Sequence, residues 1–287
     1  MYIDLSTIKS GFCDKLKKLT LCLSYCQINN INQIEVFDKT TKEYPFLFYN
    51  YCFIKNFKIK KLYKKKKVKD IFYFINEFNS NPNTKNTRIV KPYLGNKSIP
   101  DFLKIWINSY KLIKLKKSTF LSKKNTIGIH IRLTDKLVNF RQKLFEIPGK
   151  DVVLKEDYHF FLENLSLIIK QNKKKNFFLA TDSENSKTEI IEIFKKNNKK
   201  IIYNNIKFNK KKFRQTKGID FLRDLFNLSN CEIIYSTGGG VPHAAVMISS
   251  KKIKFIKIAY KKIFNIDIKY FNLFLYRLGK IYKFLLP

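Results

Sequence analysis

A chain of 287 residues is long enough for one large domain or two of moderate size, which excludes a small scaffold stapled by disulfides. With 45% hydrophobic residues, including 27 Phe and 16 Tyr, it also excludes a disordered polymer despite its charge. That charge, 58 Lys+Arg against 22 Asp+Glu for a formal +36, suits a partner of nucleic acid or of an anionic membrane. Yet only six of the cations are arginine: Arg88, Arg132, Arg141, Arg214, Arg223 and Arg277. Readers of nucleic acid lean on arginine's planar fork. The lysines, in a chain equally rich in Ile and Asn, read as a solvated coat, so no nucleic-acid partner is expected. Five cysteines (Cys13, Cys22, Cys26, Cys52, Cys231) are odd in number and form no paired CxxC motif, which fits reduced thiols rather than a zinc site. Asp4 stands where a secretory leader would be apolar, and no uncharged run of about 18 apolar residues occurs. The expected location is cytoplasmic, with peripheral contact at the inner face of a membrane as an option.

In chain order, a glycine turn at 10–14 precedes a helix carrying Leu16, Leu19, Leu23 and Cys26 up to Asn29-Asn30. Residues 34–37 read as a strand and the aromatic run 44–53 as another, with Pro45 limiting its start. The lysine-rich stretch 55–69 reads as an exposed loop and helix start, and 79–83 as a turn. Leu103, Ile107, Tyr110 and Leu115 mark a helix, and 116–124 is a candidate interdomain linker. Strands then alternate with helices: strands at 127–132, 177–181, 200–204, 232–236 and 252–258, with helices at about 156–171, 186–197, 217–229 and from 241. That alternation means βαβ units and a parallel sheet, so the domains expected are 1–117 and a Rossmann-like 118–287. Such sheets bind ligands beyond the carboxyl ends of their strands.

Three strand ends carry chemistry. In residues 127–135 the period is two: Ile127, Ile129, Ile131 and Leu133 share one face, while Gly128, His130, Arg132 and Thr134 share the other. A buried parallel strand is normally apolar on both faces. The polar face therefore has two readings, a satisfied core histidine beside a paired arginine, or an arginine aimed at an anion. At Thr181-Asp182-Ser183, either Asp182 or Ser183 can cap the next helix. At Ser236-Thr237-Gly238-Gly239-Gly240-Val241-Pro242, glycines let the backbone approach a ligand and a helix start favours phosphate.

The segment His130-Ile131-Arg132-Leu133-Thr134-Asp135-Lys136 resembles the His-x-Arg-Arg-x-Asp motif of the GDP-fucose-dependent fucosyltransferase superfamily, closest to its α-1,6 and nodulation branch. Phe178–Asp182 is similar to that branch's second motif, and Gly218, Asp224–Ser229 and Tyr235–Gly239 to its third region, in the same order. Gly11-Phe12-Cys13-Asp14 resembles the glycine turn that opens the family's first domain. The resemblance implies an α/β fold of GT-B type, with two Rossmann-like domains of which the C-terminal one is a doubly wound parallel sheet. It further implies inverting sugar transfer from GDP-fucose to a glycan acceptor, with no metal ion or other cofactor. Carried over, Arg132 would bind the β-phosphate, His130 and Asp182 would help to hold the donor, and Thr237, Gly238 and Gly239 would line the diphosphate. Gly11 and Phe12 would approach the donor from the first domain. Leu133 replaces the family's second arginine, for which Lys136 or Arg214 would have to substitute, and Gly238-Gly239 replace a serine pair.

Direct displacement would place Arg132 against the departing diphosphate, with Asp135 or Glu146 as the candidate general base. The basic, apolar segment 260–287 reads either as a helix packed on the domains or as one lying on an anionic membrane. The rival functions are a basic nucleic-acid-binding protein, and a GT-B transferase or lectin-like relative that takes another nucleotide-sugar.

Overall fold

The computed structural model describes residues 1–6, 12–38, 52–64, 66, 99–115, 125–133, 137–138, 153–206, 208 and 218–258. At 12, 99, 100, 102, 103, 115, 218 and 219 the description covers the backbone alone. The chain divides into two compact units, Met1–Thr119 with Met247–Ser250 and Phe120–Val246 with Lys251–Pro287.

In the first unit, β1 (Tyr2–Asp4) pairs in parallel with β2 (Gln33–Phe37), which pairs in parallel with β4 (Lys58–Leu62). Helix α1 (Phe12–Ile28) makes the crossover from β1 to β2. Its Leu16, Leu19, Leu23 and Cys26 are at most 2% exposed, so the helical spacing read from the sequence is the core face. Thr20 and Ser24 are buried beside them and meet α2 (Ile99–Tyr110): Trp106 Nε1 donates to Thr20 Oγ1 at 3.0 Å, and the Ser24 and Ser109 hydroxyls lie 3.0 Å apart.

Two expectations are corrected here. Part of the lysine-rich stretch is strand rather than loop: β4 pairs with β2 along five residues. Among the described residues β4 is the edge of this sheet, where a strand needs hydrogen bonds on one side only and lysines discourage further pairing. Glu35 of β2 receives Lys60 at 3.2 Å and also Lys66, and both lysine side chains remain exposed. The helix through Leu103 ends at Tyr110, and Leu115 belongs instead to β5 (Ile113–Leu115), antiparallel to β3 (Cys52–Ile54). A turn in which Leu112 N–H donates to Ser109 O at 3.2 Å reverses the chain and buries Ile113.

At the carboxyl edge of this sheet the charges face one another. Asp4 (1% exposed) accepts from Ser6 N at 2.8 Å, while Lys18 Nζ donates to the Asp4 carbonyl at 2.6 Å. Burial holds the Lys15 ammonium below its ordinary pKa, with Asp38 and Asp4 pulling the other way.

In the second unit, five strands pair in parallel: β6 (Thr126–Ile131), β9 (Asn176–Thr181), β10 (Ile202–Tyr203), β11 (Ile233–Ser236) and β12 (Lys254–Lys257). A short parallel pair, β7 (Leu137–Val138) with β8 (Val153–Leu154), lies outside that sheet. The spatial order is β10-β9-β6-β11-β12, so the chain winds outward one way from β6 and then the other. The switch point of this doubly wound sheet lies between β6 and β11.

One face of the sheet buries Ile127, Ile129, Ile131, Phe177 and Leu179 against α3 (Lys155–Gln171) through Tyr158, Phe161, Leu165 and Ile169, and against α4 (Glu184–Lys196) through Ile190 and Phe194. The other face carries Gly128, where an added Cβ would stand 2.8 Å from Leu228 Cδ2 and 3.2 Å from Cys231 Sγ. The missing side chain is what lets α5 (Gly218–Leu228) settle on that face. Helix α6 (Gly240–Ile248) follows β11. Among the described residues no helix is long and apolar enough to cross a membrane. The segment 260–287, the linker at 116–124 and the run 44–51 lie outside the described residues.

Candidate functional site

Strand β6 is buried along its whole length, and the chain leaves it at Arg132 directly beside the switch point. Two neighbours fix that exit. On the β11 side, Thr237 N–H donates to His130 O at 3.1 Å and Thr237 Oγ1 accepts Arg132 N–H at 3.0 Å. On the β9 side, Asp182 N–H donates to Ile131 O at 3.4 Å and Asp182 Oδ1 accepts Leu133 N–H at 3.0 Å. Side-chain oxygens thus continue the ladder past the end of the strand, and the backbone of residues 132 and 133 is held from both sides.

The Arg132 side chain is half-buried and leans on the glycine turn. A Cβ built on Gly239 would lie 3.7 Å from both Arg132 Cδ and Nη1. Gly238 and Gly239 have φ of 114° and 94°, a region that L side chains rarely enter. The turn delivers the chain to α6, with Pro242 in the first helical turn, where the leading N–H groups have no intrahelical acceptor. A guanidinium over a glycine turn at a helix start is a setting for an anion.

His130 is 4% exposed, and its Nδ1 lies 2.8 Å from Ser236 Oγ. Burial, reinforced by the Arg132 charge, pushes its pKa down to about 3, so the ring is neutral near pH 7. The choice of cap after β9 is resolved: Ser183 Oγ accepts Ser186 N–H at 3.4 Å at the start of α4, leaving Asp182 for Leu133.

The structure therefore brings His130, Arg132, Asp182, Thr237, Gly238 and Gly239 to adjacent ends of three neighbouring strands. Phe12 opens α1 in the first unit. Gly11, Asp135 and Glu146, with Lys136 and Arg214, lie outside the described residues. Among the described residues no group of three or more His, Cys, Asp or Glu side chains is placed to hold a metal ion. Two features were not foreseen. Ser236 is the register partner of His130 across β6 and β11, which counting both strands back from their polar ends would have shown. Asp224 is buried on α5, hydrogen-bonded by Asn204 at the end of β10, and its pKa is raised by burial. A helical acid gives no sequence sign of that.

Fold and site together define a doubly wound α/β protein with a candidate anion site at its switch point. No family model and no curated protein matches the sequence. Among solved structures, POFUT1 in complex with GDP-fucose aligns over 90% of this chain and 98% of its own, with a TM-score of 0.50 at 11% identity. NodZ alpha-1,6-fucosyltransferase soaked with GDP-fucose aligns over 88% and 94%, with a TM-score of 0.48 at 15% identity. The likeness to POFUT1 is one of fold.

Proposed function

We propose that this chain is a metal-independent, inverting glycosyltransferase of GT-B type that transfers fucose from GDP-fucose to a glycan hydroxyl. The observation that carries the reading is the Arg132 side chain lying against Gly239 at the switch point. The fold likeness to POFUT1, bound there to GDP-fucose, and the motif order along the chain support it.

In this reading the nucleotide diphosphate lies between Arg132 and the start of α6. The acceptor oxygen attacks the anomeric carbon from the face opposite the phosphate, the bond from that carbon to the β-phosphate oxygen breaks, and GDP leaves with the electron pair. Negative charge grows on the β-phosphate as that bond lengthens. Arg132 and the helix-start amides are already aimed there, and fixed donors need no reorganisation in the transition state. Rigidity comes from Thr237 and Asp182, whose oxygens hold the backbone on which Arg132 stands. The acceptor proton goes to a carboxylate, for which Asp135 and Glu146 are the proposed residues. His130 binds as a neutral group, so among the described residues the positive charge of the site is carried by Arg132.

A thermal-shift panel of GDP, UDP, CDP, their sugars and a single-stranded oligonucleotide tests the reading. GDP at about a hundred times its dissociation constant should stabilise by about 2.7 kcal/mol, with UDP, CDP and the oligonucleotide giving less. The absence of any nucleotide response would overturn it. An oligonucleotide response that falls steeply with salt would favour the lysine coat as the binding surface.

A further inference from the structure

Ser236 is fully buried on β11, and its hydroxyl sits between two parts of the site. A serine hydroxyl has one hydrogen and two lone pairs. One lone pair receives Gly238 N–H at 2.9 Å. The hydrogen has two acceptors within reach, His130 Nδ1 at 2.8 Å and the Gly238 carbonyl at 3.5 Å. Hydroxyl donors settle at about 2.7–2.8 Å, and 3.5 Å is at the limit of a bond, so the ring is the better acceptor for that hydrogen. Giving it to the ring leaves the hydroxyl a full-strength donor, where the opposite tautomer would leave it only the 3.5 Å contact. Nδ1 then supplies a lone pair, and the proton of the neutral ring resides on Nε2.

We propose that Ser236 is a positioning residue that holds His130 as its Nε2–H tautomer and, through the same oxygen, pins the Gly238 turn to the strand end. One side chain thereby sets both the donor character of the histidine and the path of the glycines over which Arg132 lies. His130 presents an uncharged N–H, which recognises an uncharged acceptor: a carbonyl or ring nitrogen of a base, or a sugar oxygen. The anionic part of the ligand is left to Arg132. The pinned Gly238 amide is already used, so the backbone donors for an anion are those that follow it. The role of this tautomer in binding a ligand rests on the nucleotide-sugar reading, whereas the tautomer itself does not.

The test is long-range proton–nitrogen correlation on the full-length chain labelled with ¹⁵N, near pH 7. The chain has three histidines, and His130→Asn assigns the signal of interest. The expected result is an Nε2–H pattern for His130 in the wild type. Ser236→Ala should shift it toward Nδ1–H and weaken GDP binding about tenfold, and Ser236→Thr should restore both. An Nδ1–H pattern in the wild type would overturn the inference, and so would an unchanged tautomer in a folded Ser236→Ala variant. If Ser236→Ala does not fold, the wild-type pattern together with Ser236→Thr still decides. An Nε2–H ring in a wild-type chain that ignores GDP supports the serine–histidine coupling and overturns the nucleotide reading. GDP binding that is unchanged in Ser236→Ala overturns the functional half.

Discussion

Both units end a parallel sheet in charged residues, and the two edges treat charge in opposite ways. At the first edge Asp4, Lys15, Lys18 and Asp38 are all buried, and Lys18 is spent on the Asp4 carbonyl at 2.6 Å. At the second edge Thr237 Oγ1 and Asp182 Oδ1 accept hydrogen bonds from the backbone of residues 132 and 133, while the Arg132 side chain is half-buried over glycine. Buried charges that face each other hold a fold together, and removing one leaves the rest uncompensated. On the proposed reading Arg132, carried on its braced backbone over the glycine turn, serves a ligand, so its removal should act on binding more than on the fold.

The sharpest way to break this contrast is a pair of substitutions. Arg132→Ala should lower transfer by two to three orders of magnitude, about 2.7–4 kcal/mol of leaving-group stabilisation, with a nearly unchanged melting curve. Asp4→Ala should act on the fold, costing about 3 kcal/mol in urea titrations. If Arg132→Ala were the one that unfolds, or if it turned over normally, the distinction between the edges would fail.

A smaller effect concerns His130. Its folded pKa, about 3, lies below the ordinary 6.5 because burial penalises the charged ring. Between those values the unfolded chain takes up a proton that the folded one refuses. Stability therefore rises with pH across that window, is complete above 6.5, and is lost as pH falls toward 3. Going from pH 7 to pH 5 should cost the wild type about 2 kcal/mol more than His130→Asn, at about 1.4 kcal/mol per unit. Equal losses, read from urea midpoints at both pH values, would mean that the ring is hydrated and not part of a dry strand end.

How much of this was legible depended on what each residue's neighbours had to do. The second sheet could be read because its central strands β6 and β9 are buried on both faces, so each stands out as an apolar run between helices. The polar face of β6 stood out against that background, and Arg132 was placed by its period alone. Strand β4 was not legible: an edge strand of lysines owes its state to β2, and nothing in Lys58-Ile59-Lys60-Lys61-Leu62 announces the partner. Asp182 and Thr237 were legible as positions and not as contacts. Their hydrogen bonds run to a backbone 49 and 105 residues away, a pairing fixed by strand order, which spacing along the chain does not encode.

The finest test of the contrast uses two glycines of the second unit, each kept free of a side chain for a different reason. At Gly128 the reason is space, since a Cβ would press on Leu228 at 2.8 Å. Gly128→Ala should therefore cost about 1–3 kcal/mol of stability through overpacking and leave GDP affinity alone. At Gly239 there is room, with Arg132 at an ordinary 3.7 Å, but φ is 94°. Gly239→Ala strains the backbone by about 1–2 kcal/mol, and the turn relieves that strain by rotating under Arg132. Its stability loss should be the smaller of the two, and its loss of GDP affinity, on the order of tenfold, the larger. Measuring both variants by urea titration and by GDP calorimetry separates the cases. Equal GDP affinity in the two variants would show that the turn is packing, like Gly128, and that Arg132 faces something other than a diphosphate.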